Sequence, residues 1–334
     1  MPKKRLQLGV VGCGAIAREI FAECKDLDVV RPAAAFDPDP ANLDSFASTF
    51  GSEPETDFES LLARKDLDAL ALMGPPRVRP EQILQAAERG LAVFTEKPLA
   101  LTVAEGLKVV AACRTAKVPL MVGHVLRYFG GFGVLAERVR SGELGKPLGI
   151  EIHRYGGPFP PALREAWRLR KADSGGPLFE LHVHEFDFAR YLLGDPVSIY
   201  ARSRRVGVDS GTDYEDHMMG LLEFESGALG QCHFSMISAR VKTGTCVTLE
   251  KGVVWGGFRG AREIASSGEA RDLPLPGGEP AYRKEIRLFA ESVLEGKPVP
   301  ISGEDGLWAV AAAEAFGLSA ATGEAVRVRE VLGP

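Results

Sequence analysis

The stretch Gly9-Val-Val-Gly-Cys-Gly-Ala-Ile-Ala17 decides the fold of this chain. Its pattern G-x-G-x-x-A, formed by Gly12, Gly14 and Ala17, ends one apolar run and opens an amphipathic one. Gly12 permits a tight turn, Gly14 lets the backbone approach a pyrophosphate, and Ala17 allows a helix to pack closely on a strand. The stretch therefore predicts the strand–turn–helix unit that begins a dinucleotide-binding α/β domain.

The sequence around this loop alternates short apolar runs with amphipathic stretches. Strands and helices that alternate through short connections form a parallel sheet with helices on both faces. The predicted strands are Leu6–Val11, Val29–Phe36, Asp68–Met73, Leu91–Thr95 and Pro119–Val122, and the predicted helices are Ala15–Lys25, Ala41–Phe50, Phe58–Lys65, Pro80–Arg89 and Val103–Thr115. We therefore predict a doubly wound Rossmann domain over residues 1–122.

The alternation gives way to consecutive strands in residues 123–334, which we predict to be a second domain. The predicted strands are Leu148–Tyr155, Ser198–Val206, His217–Phe224, Ala228–Met236, Cys246–Glu250 and Gly252–Trp255, and the predicted helices are Glu180–Leu193, Tyr282–Leu294 and Glu304–Thr322. A run of strands bracketed by helices is typical of an α+β domain. We expect its sheet to be open and mostly antiparallel.

The composition is that of an ordinary globular protein, with 334 residues, 45% of them hydrophobic and 25% charged. The net charge of −5 offers no basic surplus for nucleic acid, and the longest apolar runs are too short for a membrane span. Because the basic start Met1-Pro-Lys-Lys-Arg5 leads straight into a strand, we do not expect a signal peptide. The 5 cysteines form no CxxC pair, which favours a reducing cytoplasm and argues against a structural metal.

Asp37 is the predicted ligand of the cofactor ribose. It ends the second predicted strand about 20 residues beyond Ala17, where a carboxylate accepts the ribose hydroxyls. The carboxylate would repel a 2′-phosphate, and the residues Pro38-Asp39-Pro40 bring no arginine to hold one. The sequence thus favours NAD over NADP, although Arg31 could still approach the phosphate. A glycine turn that binds nothing is the alternative.

Several further motifs, taken with the glycine loop, carry a resemblance to a known family. They are Thr95-Glu96-Lys97-Pro98, Met73-Gly74-Pro75-Pro76, Val122-Gly123-His124 with Arg127, Gly175-Gly176 ahead of His184 and Asp187, Tyr214-Glu215-Asp216-His217, and Ile301-Ser302-Gly303-Glu304-Asp305-Gly306. In their order and spacing they resemble the Gfo/Idh/MocA family over nearly the whole chain.

The resemblance implies an NAD(P)-binding Rossmann domain followed by a substrate-binding domain whose open sheet forms oligomer contacts. It implies oxidation or reduction of a sugar, an inositol or a related polyol, and a homodimer or homotetramer. It also implies that Lys97 lies near nicotinamide and substrate, before a cis Pro98. The residues expected to bind the cofactor are Gly12, Gly14, Ala15, Ile16, Asp37, Pro75, Glu96 and Lys97.

The chain departs from the family pattern at three positions. The family commonly has D-x-G-x-H-x-x-D in the second domain, where this chain has Glu180 for the first Asp and His182 for the Gly. Arg79 replaces a histidine often found after the third strand. These changes alter the expected shape of the substrate pocket more than the fold.

On one regular helix, Glu180, His184, Asp187 and Tyr191 would form a polar stripe. The alternative to a catalytic stripe is a solvated helix face. We predict that His184 is the acid–base group, because an imidazole titrates near neutral pH. Lys97 would stabilise the developing alkoxide charge, and Glu180 would orient the imidazole or bind a neighbouring hydroxyl.

The remaining candidates are substrate-binding residues, namely Arg127, Tyr128, Tyr155, Arg164, Trp167 and Asp187, of which Asp187 has a structural role as its alternative. No metal site is expected, since His182 and His184 point apart on a regular helix. Hydride transfer with a sugar or polyol is thus the predicted function. The alternatives are a non-redox, NAD-cycling enzyme that modifies glycosides, and a dinucleotide-binding sensor. The presence of both Lys97 and His184 argues against the sensor.

Overall fold

The structure is a computed structural model that describes residues 5–156, 166–207, 211–237, 243–275 and 277–333. The chain divides into two compact units. The first runs to His124 and takes in Glu279–Leu307, and the second comprises Val125–Gly278 and Trp308–Pro334. Each unit is described by itself.

The first unit is built on a six-stranded parallel sheet in the order β3-β2-β1-β4-β5-β6. Its strands are β1 Leu6–Val11, β2 Val30–Phe36, β3 Glu53–Pro54, β4 Ala69–Leu72, β5 Ala92–Glu96 and β6 Leu120–Gly123, and its first helices are α1 Ala15–Glu23, α2 Pro40–Phe50, α3 Phe58–Ala63, α4 Arg79–Glu88 and α5 Val103–Ala116. This is the strand order of the Rossmann fold, and the prediction of a doubly wound sheet is confirmed.

Local sequence signals start several of these helices. Asp57 caps α3 by accepting from the Ser60 N–H at 2.7 Å, and Thr102 caps α5 by accepting from the Glu105 N–H at 3.2 Å. Each cap satisfies a backbone donor that a helix start leaves without an intrahelical partner. These caps hold the ends of the helices that follow the strands.

The second unit contains a nine-stranded sheet in the order β14-β13-β12-β11-β7-β10-β9-β8-β15. Its strands are β7 Pro147–Tyr155, β8 Pro196–Arg204, β9 His217–Phe224, β10 Leu229–Ser235, β11 Gly244–Leu249, β12 Gly252–Gly257, β13 Gly260–Ala265, β14 Ala270–Leu273 and β15 Val326–Arg327, and its helices include α6 Gly130–Arg140, α7 Lys171–Ser174, α8 Gly176–Glu180 and α9 Val183–Leu193. Within the described residues, β7 and β10 pair in parallel and the other neighbours are antiparallel. The expected mixed α+β domain is confirmed.

One face of this sheet is open. Along β9, Met218 and Leu222 are buried, whereas Met219 is 53% exposed and Leu221 is 59% exposed. On the neighbouring β10, Leu229 is 63% exposed. Because side chains alternate along a strand, these exposed apolar groups share the face that carries no core.

The two units are not separated by a single boundary at residue 122, because the late segment Glu279–Leu307 packs in the first unit. Helix α10, Ala281–Glu295, donates from the Tyr282 N–H to Glu23 Oε2 at 3.1 Å, and Phe289 stacks at a tilt on Phe94 with 5.8 Å between ring centroids. The following helix α11, Gly303–Thr322, contains the division between Leu307 and Trp308, and α12 spans Val328–Leu332.

Other elements were not predicted from the sequence, namely α6, β13, β14, β15, α7, α12, the two-residue β3, and α8 apart from its last residue. Helix α6 begins with Gly130-Gly131-Phe132-Gly133, a glycine content that disfavours helix. The structure explains Gly131, because a side chain there would overlap the carbonyl of Gly260 in β13. In the part of the chain that the structure describes, no helix is long and apolar enough to cross a membrane.

Candidate functional site

The candidate cofactor site lies at the carboxyl edge of the first unit's sheet. Because β1, β2, β4 and β5 are parallel neighbours, the residues that follow them meet at one edge. Gly12 follows β1, Asp37 follows β2, and Lys97 follows β5. Ligands of open α/β sheets bind at this edge, near the reversal of strand order between β1 and β4.

The turn at Gly12 accepts only glycine. Its φ is +88°, in the left-handed region, and its N–H donates to the Phe36 carbonyl at 2.9 Å. A Cβ there would lie 2.7 Å from the backbone nitrogen of Gly74. Two segments of backbone thus approach each other closely, which only a residue without a side chain allows.

Asp37 accepts from two backbone N–H groups, one in the glycine loop and one in the segment that follows β2. Its Oδ2 accepts from Cys13 N at 2.6 Å, and its Oδ1 accepts from Asp39 N at 2.8 Å. A carboxylate accepts about four hydrogen bonds, so both oxygens keep acceptor capacity. The half-buried carboxylate is therefore held in place with lone pairs to spare.

The start of α1 supplies the donors of the site. Its N-cap is Gly14, which brings no side chain to cap the helix, and Ala15 and Ile16 are its first two residues. Their N–H groups, and the positive end of the helix dipole, match a pyrophosphate. The glycine cradle, these donors and the Asp37 carboxylate fit the pyrophosphate and ribose of a dinucleotide.

Cys13 lies within this loop and is chemically quiet. Burial raises the pKa of its thiol to about 12, the Asp37 carboxylate contributes in the same direction, and Arg18 opposes both. A thiol with that pKa is almost entirely protonated at neutral pH, which makes it a poor nucleophile. The small size of the side chain accounts for its place in the loop.

Lys97 is half-buried at the end of β5, and its backbone is fixed by an arginine. The Lys97 carbonyl accepts from Nη2 of Arg79 at 3.0 Å, and Arg79 is almost fully buried at the start of α4. The Lys97–Pro98 peptide bond is cis, as the resemblance implied. Arg79, noted in the sequence only as a replacement for histidine, thus holds the backbone beside Lys97.

Two further predicted cofactor residues lie at the same edge. Glu96 is the buried last residue of β5, and Pro75 lies in the connection between β4 and α4. The Pro75 carbonyl accepts from the Val78 N–H at 3.2 Å. The residues predicted to bind the cofactor therefore come from strand ends, from connections and from the first turn of α1, all at one edge of the sheet.

In the second unit, the predicted helix over residues 180–193 is interrupted, so the four-residue stripe is not on one helix. Glu180 ends α8, whereas His184 lies in the first turn of α9. Between them, the His182 ring stacks flat on Phe234, with 3.9 Å between centroids and 6° between planes. The helix is broken at Leu181 and His182, where the buried His182 ring makes this stacking contact.

Glu180 pairs with an arginine that the sequence analysis missed. Its Oε1 accepts from Arg168 Nε at 3.2 Å, and the Arg168 guanidinium lies 4.2 Å from the centroid of the Trp167 ring. Arg168 therefore brings together Trp167 and Glu180, two predicted site residues. The sequence signal was weak, because Arg168 lies in a short 3-10 turn with no helical periodicity.

Arg127 and Asp187 pair with each other. Nε and Nη2 of Arg127 donate to the two Asp187 oxygens at 2.8 and 2.5 Å, and both side chains are buried. The Arg127 guanidinium also lies 4.5 Å from the centroid of the Tyr191 ring. These contacts account for both charged groups within the unit and tie α9 to the 3-10 turn of Val125–Tyr128.

A second buried charge cluster lies on α9. Glu185 is buried, Arg154 Nη1 lies 3.2 Å from its Oε1, and His182 Nδ1 lies 3.5 Å from its Oε2. Burial by itself raises the pKa of Glu185, but Arg154 and His182 outweigh that effect and hold the pKa below its usual value. The sequence analysis did not single out Arg154 or Glu185, since neither belongs to a motif.

The other predicted substrate residues are placed as follows. Tyr155 ends β7, and its hydroxyl lies 2.9 Å from Nδ1 of His233. Burial raises the Tyr155 pKa and lowers the His233 pKa, and the neighbouring His217 and His153 lower the latter further. Tyr128 lies in the 3-10 turn with Arg127, and Arg164 lies outside the described residues. His184 is half-buried.

Two family descriptions match most of the chain. An oxidoreductase family with an NAD-binding Rossmann fold matches residues 6–124. The GFO/IDH/MocA C-terminal domain matches residues 132–254. The two matches lie on either side of the division that the structure shows at His124.

Individual proteins give the same result. The 1,5-anhydro-D-fructose reductase of Ensifer adhaerens is 31% identical, over 82% of this chain and 83% of the relative. The myo-inositol 2-dehydrogenase of Thermotoga maritima is 27% identical, over 98% of this chain and 100% of the relative. The crystal structure of aldose-aldose oxidoreductase from Caulobacter crescentus has a TM-score of 0.87 at 25% identity, over 97% of this chain and 100% of that one. The chain therefore belongs to the Gfo/Idh/MocA family of oxidoreductases, with an NAD-binding Rossmann domain at residues 6–124.

Proposed function

We propose that this oxidoreductase transfers a hydride between NAD and a hydroxyl or keto carbon of a sugar, an inositol or a related polyol. The observation that carries the proposal is the meeting of Gly12, Asp37 and Lys97 at the carboxyl edge of one parallel sheet. The relatives support the substrate class, because their names specify an anhydro sugar and a cyclic polyol.

The first unit's residues would hold NAD by its polar parts. Gly12 and Gly14 give the pyrophosphate access to the loop, and the N–H groups of Ala15 and Ile16 donate to it. Asp37 accepts the ribose hydroxyls through its remaining lone pairs. Pro75, in the connection after β4, and Glu96, at the end of β5, would contact the cofactor from the same edge of the sheet. Bound NAD supplies the carbon that accepts or returns the hydride.

We assign the proton to His184 and the developing charge to Lys97. A ring nitrogen of His184 removes the proton of the substrate hydroxyl during oxidation and returns it during reduction. The Lys97 Nζ ammonium donates a hydrogen bond to the same oxygen as negative charge develops on it. Arg79 acts on this step by fixing the backbone at Lys97.

The remaining site residues divide by their partners. Trp167 and Glu180, joined by Arg168, offer an aromatic face and a carboxylate for sugar hydroxyls. The mutual pairing of Arg127 and Asp187 supports a role in positioning α9 rather than in contacting substrate. The contact of Tyr155 with His233 supports the same conclusion for that hydroxyl.

The proposal is tested by following NADH absorbance at 340 nm with NAD or NADH and a panel of polyols, inositols, aldoses and anhydro sugars. We expect turnover with at least one member of the panel, and none with linear aliphatic alcohols as the control class. If neither formation nor consumption of NADH is seen with any sugar or polyol, the proposed reaction is wrong.

A second candidate function keeps the same chemistry but retains the cofactor between two half-reactions. It is favoured by one relative, whose name pairs two aldoses as the substrates of one oxidoreductase. In that case NAD released from the purified, denatured protein should approach one per chain. A cofactor that is absent after purification, with turnover that depends on added NAD, would favour the first candidate.

We further infer that the chain assembles into a dimer or tetramer through the open face of the second unit's sheet. Met219, Leu221 and Leu229 are exposed there, and an apolar face of this kind favours self-association. Light scattering should show a multiple of the 35.9 kDa chain mass. Leu221→Lys should shift the species toward the monomer, and Leu107→Lys, at an exposed leucine of α5, should leave it unchanged.

We also infer a reducing, cytoplasmic location. The support is that Cys13, Cys24, Cys113, Cys232 and Cys246 are free thiols. Fractionation of the native cells should place the protein with the cytoplasmic enzymes. Recovery from a secreted fraction would contradict this.

A further inference from the structure

Two opposite charges hold the same residue of the glycine loop. Asp37 Oδ2 accepts from the N–H of Cys13 at 2.6 Å, and Arg18 Nη1 donates to the carbonyl of Cys13 at 2.9 Å. Arg18 lies on α1 and also donates from Nη1 to Asn42 Oδ1 at 3.1 Å. A guanidinium and the predicted ribose ligand therefore flank one peptide of the loop.

Arg18 has donors to spare. A guanidinium carries five N–H groups, of which the two on Nη1 account for the contacts with Cys13 and Asn42. Among the residues that the structure describes, Nε and Nη2 of Arg18 have no hydrogen-bond partner. The side chain is half-buried, and these two contacts hold Nη1 at the loop, which leaves Nε and Nη2 open to a ligand.

The charges of Arg18 and Asp37 both act on the Cys13 thiol. After burial, the largest influences on the Cys13 pKa are Asp37, which raises it, and Arg18, which lowers it. Both charges therefore lie within electrostatic reach of the same thiol. Asn42, the other partner of Arg18, lies in the first turn of α2, which begins three residues after Asp37.

We propose that Arg18 is a latent ligand for the 2′-phosphate of NADP, and that Asp37 alone keeps the site selective for NAD. The proposal rests on the proposed function, in which Asp37 accepts the ribose hydroxyls. A dianionic phosphate next to Asp37 is repelled, and Arg18 is offset by that carboxylate. Without the carboxylate, the guanidinium offers Nε and Nη2 in the fork arrangement that binds phosphate oxygens.

Nearby sequence offers no other arginine for this task. Pro38, Asp39 and Pro40 follow Asp37 directly, and none carries a positive charge. Arg31 lies on β2, but six residues earlier, which is about 20 Å along an extended strand. Arg31 therefore serves as a matched control, since its replacement removes the same charge far from the ribose end.

The competing role for Arg18 is to tie the loop to α1 and α2. If that were its only role, replacing it would weaken NAD binding whether or not Asp37 is present. A role in specificity has a different signature. It changes the ratio of NADP to NAD affinity, and only once the carboxylate has been removed.

The experiment measures dissociation constants of NAD and NADP, by titration of the full-length protein, for wild type, Arg18→Gln, Asp37→Ser and the double variant. Asp37→Ser should weaken NAD binding by about 10- to 150-fold, as expected for loss of a charged acceptor, and should tighten NADP binding. Adding Arg18→Gln should reverse the NADP gain by about 10- to 150-fold. Arg18→Gln alone removes a contact to the Cys13 carbonyl, and any loss of NAD affinity that follows should be the same factor with Asp37 present or replaced.

Each outcome decides a separate claim. If Asp37→Ser leaves NAD binding unchanged, the ribose assignment is wrong and the inference fails with it. If NAD binding weakens but NADP gains nothing, or keeps its gain in the double variant, Arg18 is not the phosphate ligand while the ribose assignment stands. Arg31→Gln in the Asp37→Ser background should keep the gain, and losing it there would overturn the inference. Asp37→Asn, which still accepts from the Cys13 N–H, provides the same test if Asp37→Ser unfolds.

Discussion

The glycine loop of the first unit and the α8–α9 segment of the second unit both carry charged side chains, but they fix them differently. In the loop, charged groups contact backbone, as Asp37 does at Cys13 N and Arg18 does at the Cys13 carbonyl. Around α9, charged groups contact one another across long separations, as Arg127 and Asp187 do over 60 positions. Contacts with backbone follow from local motifs, whereas pairs of side chains follow from the completed tertiary structure.

Substitutions in the two regions should therefore have different effects on stability. A side chain that binds backbone at a half-buried loop can be replaced in part by water. A buried ion pair cannot, because the remaining partner is left charged and desolvated. We therefore expect loop variants to change ligand binding first, and variants around α9 to change stability first.

The largest expected effect is for one residue of each unit, His184 and Lys97. His184→Ala should lower kcat by about 10²–10⁴-fold through loss of acid–base catalysis. Lys97→Ala should lower it by about 10²–10³-fold through loss of charge stabilisation. The double variant should lose less than the product of the two, since both groups serve one transition state. The measurements are kcat and the NAD dissociation constant. The dissociation constant should change little in each variant.

Two results would break this prediction. Near-normal turnover in His184→Ala would mean that another group handles the proton, with Glu180, His182 or Tyr155 as the next to test. A collapse of NAD affinity in either variant would show that the residue serves binding instead of the chemical step.

Breaking the Arg127–Asp187 pair should have the next largest effect. Asp187→Ala removes the carboxylate that pairs with the buried Arg127 guanidinium, so the free energy of unfolding should fall by about 3–5 kcal/mol in chemical denaturation. Replacing both partners, as in Arg127→Met with Asp187→Leu, should recover most of that loss because no buried charge remains. If Asp187→Ala unfolds like wild type and instead raises KM, the pair contacts substrate after all.

Gly12→Ala should have an intermediate effect, and Gly51 provides its control. Both glycines have positive φ, +88° and +71°, so alanine costs about 1–3 kcal/mol of backbone strain at either. Only Gly12 also lacks space, because nothing lies within 4 Å of a Cβ at Gly51. We expect Gly12→Ala to weaken NAD binding and Gly51→Ala to change only the unfolding midpoint. Equal NAD affinities would contradict the close approach at Gly12.

The smallest effect concerns the pH dependence of stability through Glu185. Its pKa lies below the ordinary value of 4.5 in the folded protein, so its stabilising contribution is present above about pH 4.5. That contribution is lost as pH falls through the folded pKa. Glu185→Gln should lower the free energy of unfolding by about 1–2 kcal/mol at neutral pH. The loss is small for a buried carboxylate because its partner Arg154 is 20% exposed and water screens the pair.

The check is to measure unfolding of wild type and Glu185→Gln at several pH values. The gap between them should stay constant from pH 7 toward pH 5 and narrow at lower pH. A gap that is the same at pH 3 as at pH 7 would show that the charge of Glu185 does not stabilise the fold.

Much of the first unit was predictable because its signals are local. The five main strands and five helices predicted there were found, with ends shifted by at most two residues. The glycine pattern also predicted that Asp37 lies beside the loop, because in this fold the loop and the residue after β2 follow adjacent strands. Arg79 was noticed, but its bond to the Lys97 carbonyl depends on how α4 packs beside β5 and was not predicted.

The second unit was less predictable for three physical reasons. The glycines of α6 disfavour helix in isolation. Gly131 is needed there because the helix approaches Gly260 too closely for a side chain, and this approach exists only in the folded unit. The break at His182 depends on stacking with Phe234, a residue on a strand that comes much later in the chain. Arg168 and Arg154 pair with Glu180 and Glu185 across the tertiary structure, and no periodicity in the sequence announces such pairs.

The membership of α10 in the first unit sets an order of events during synthesis. The ribosome adds about 5–20 residues per second, so the stretch from Val125 to Gly278 takes roughly 8–30 s to emerge. During that time the side of Phe94 that Phe289 covers, and the Glu23 carboxylate that accepts from the Tyr282 N–H, lack these partners from α10. We therefore expect the nucleotide-binding unit, although its sheet is made first, to complete its folding after most of the other unit has been synthesised.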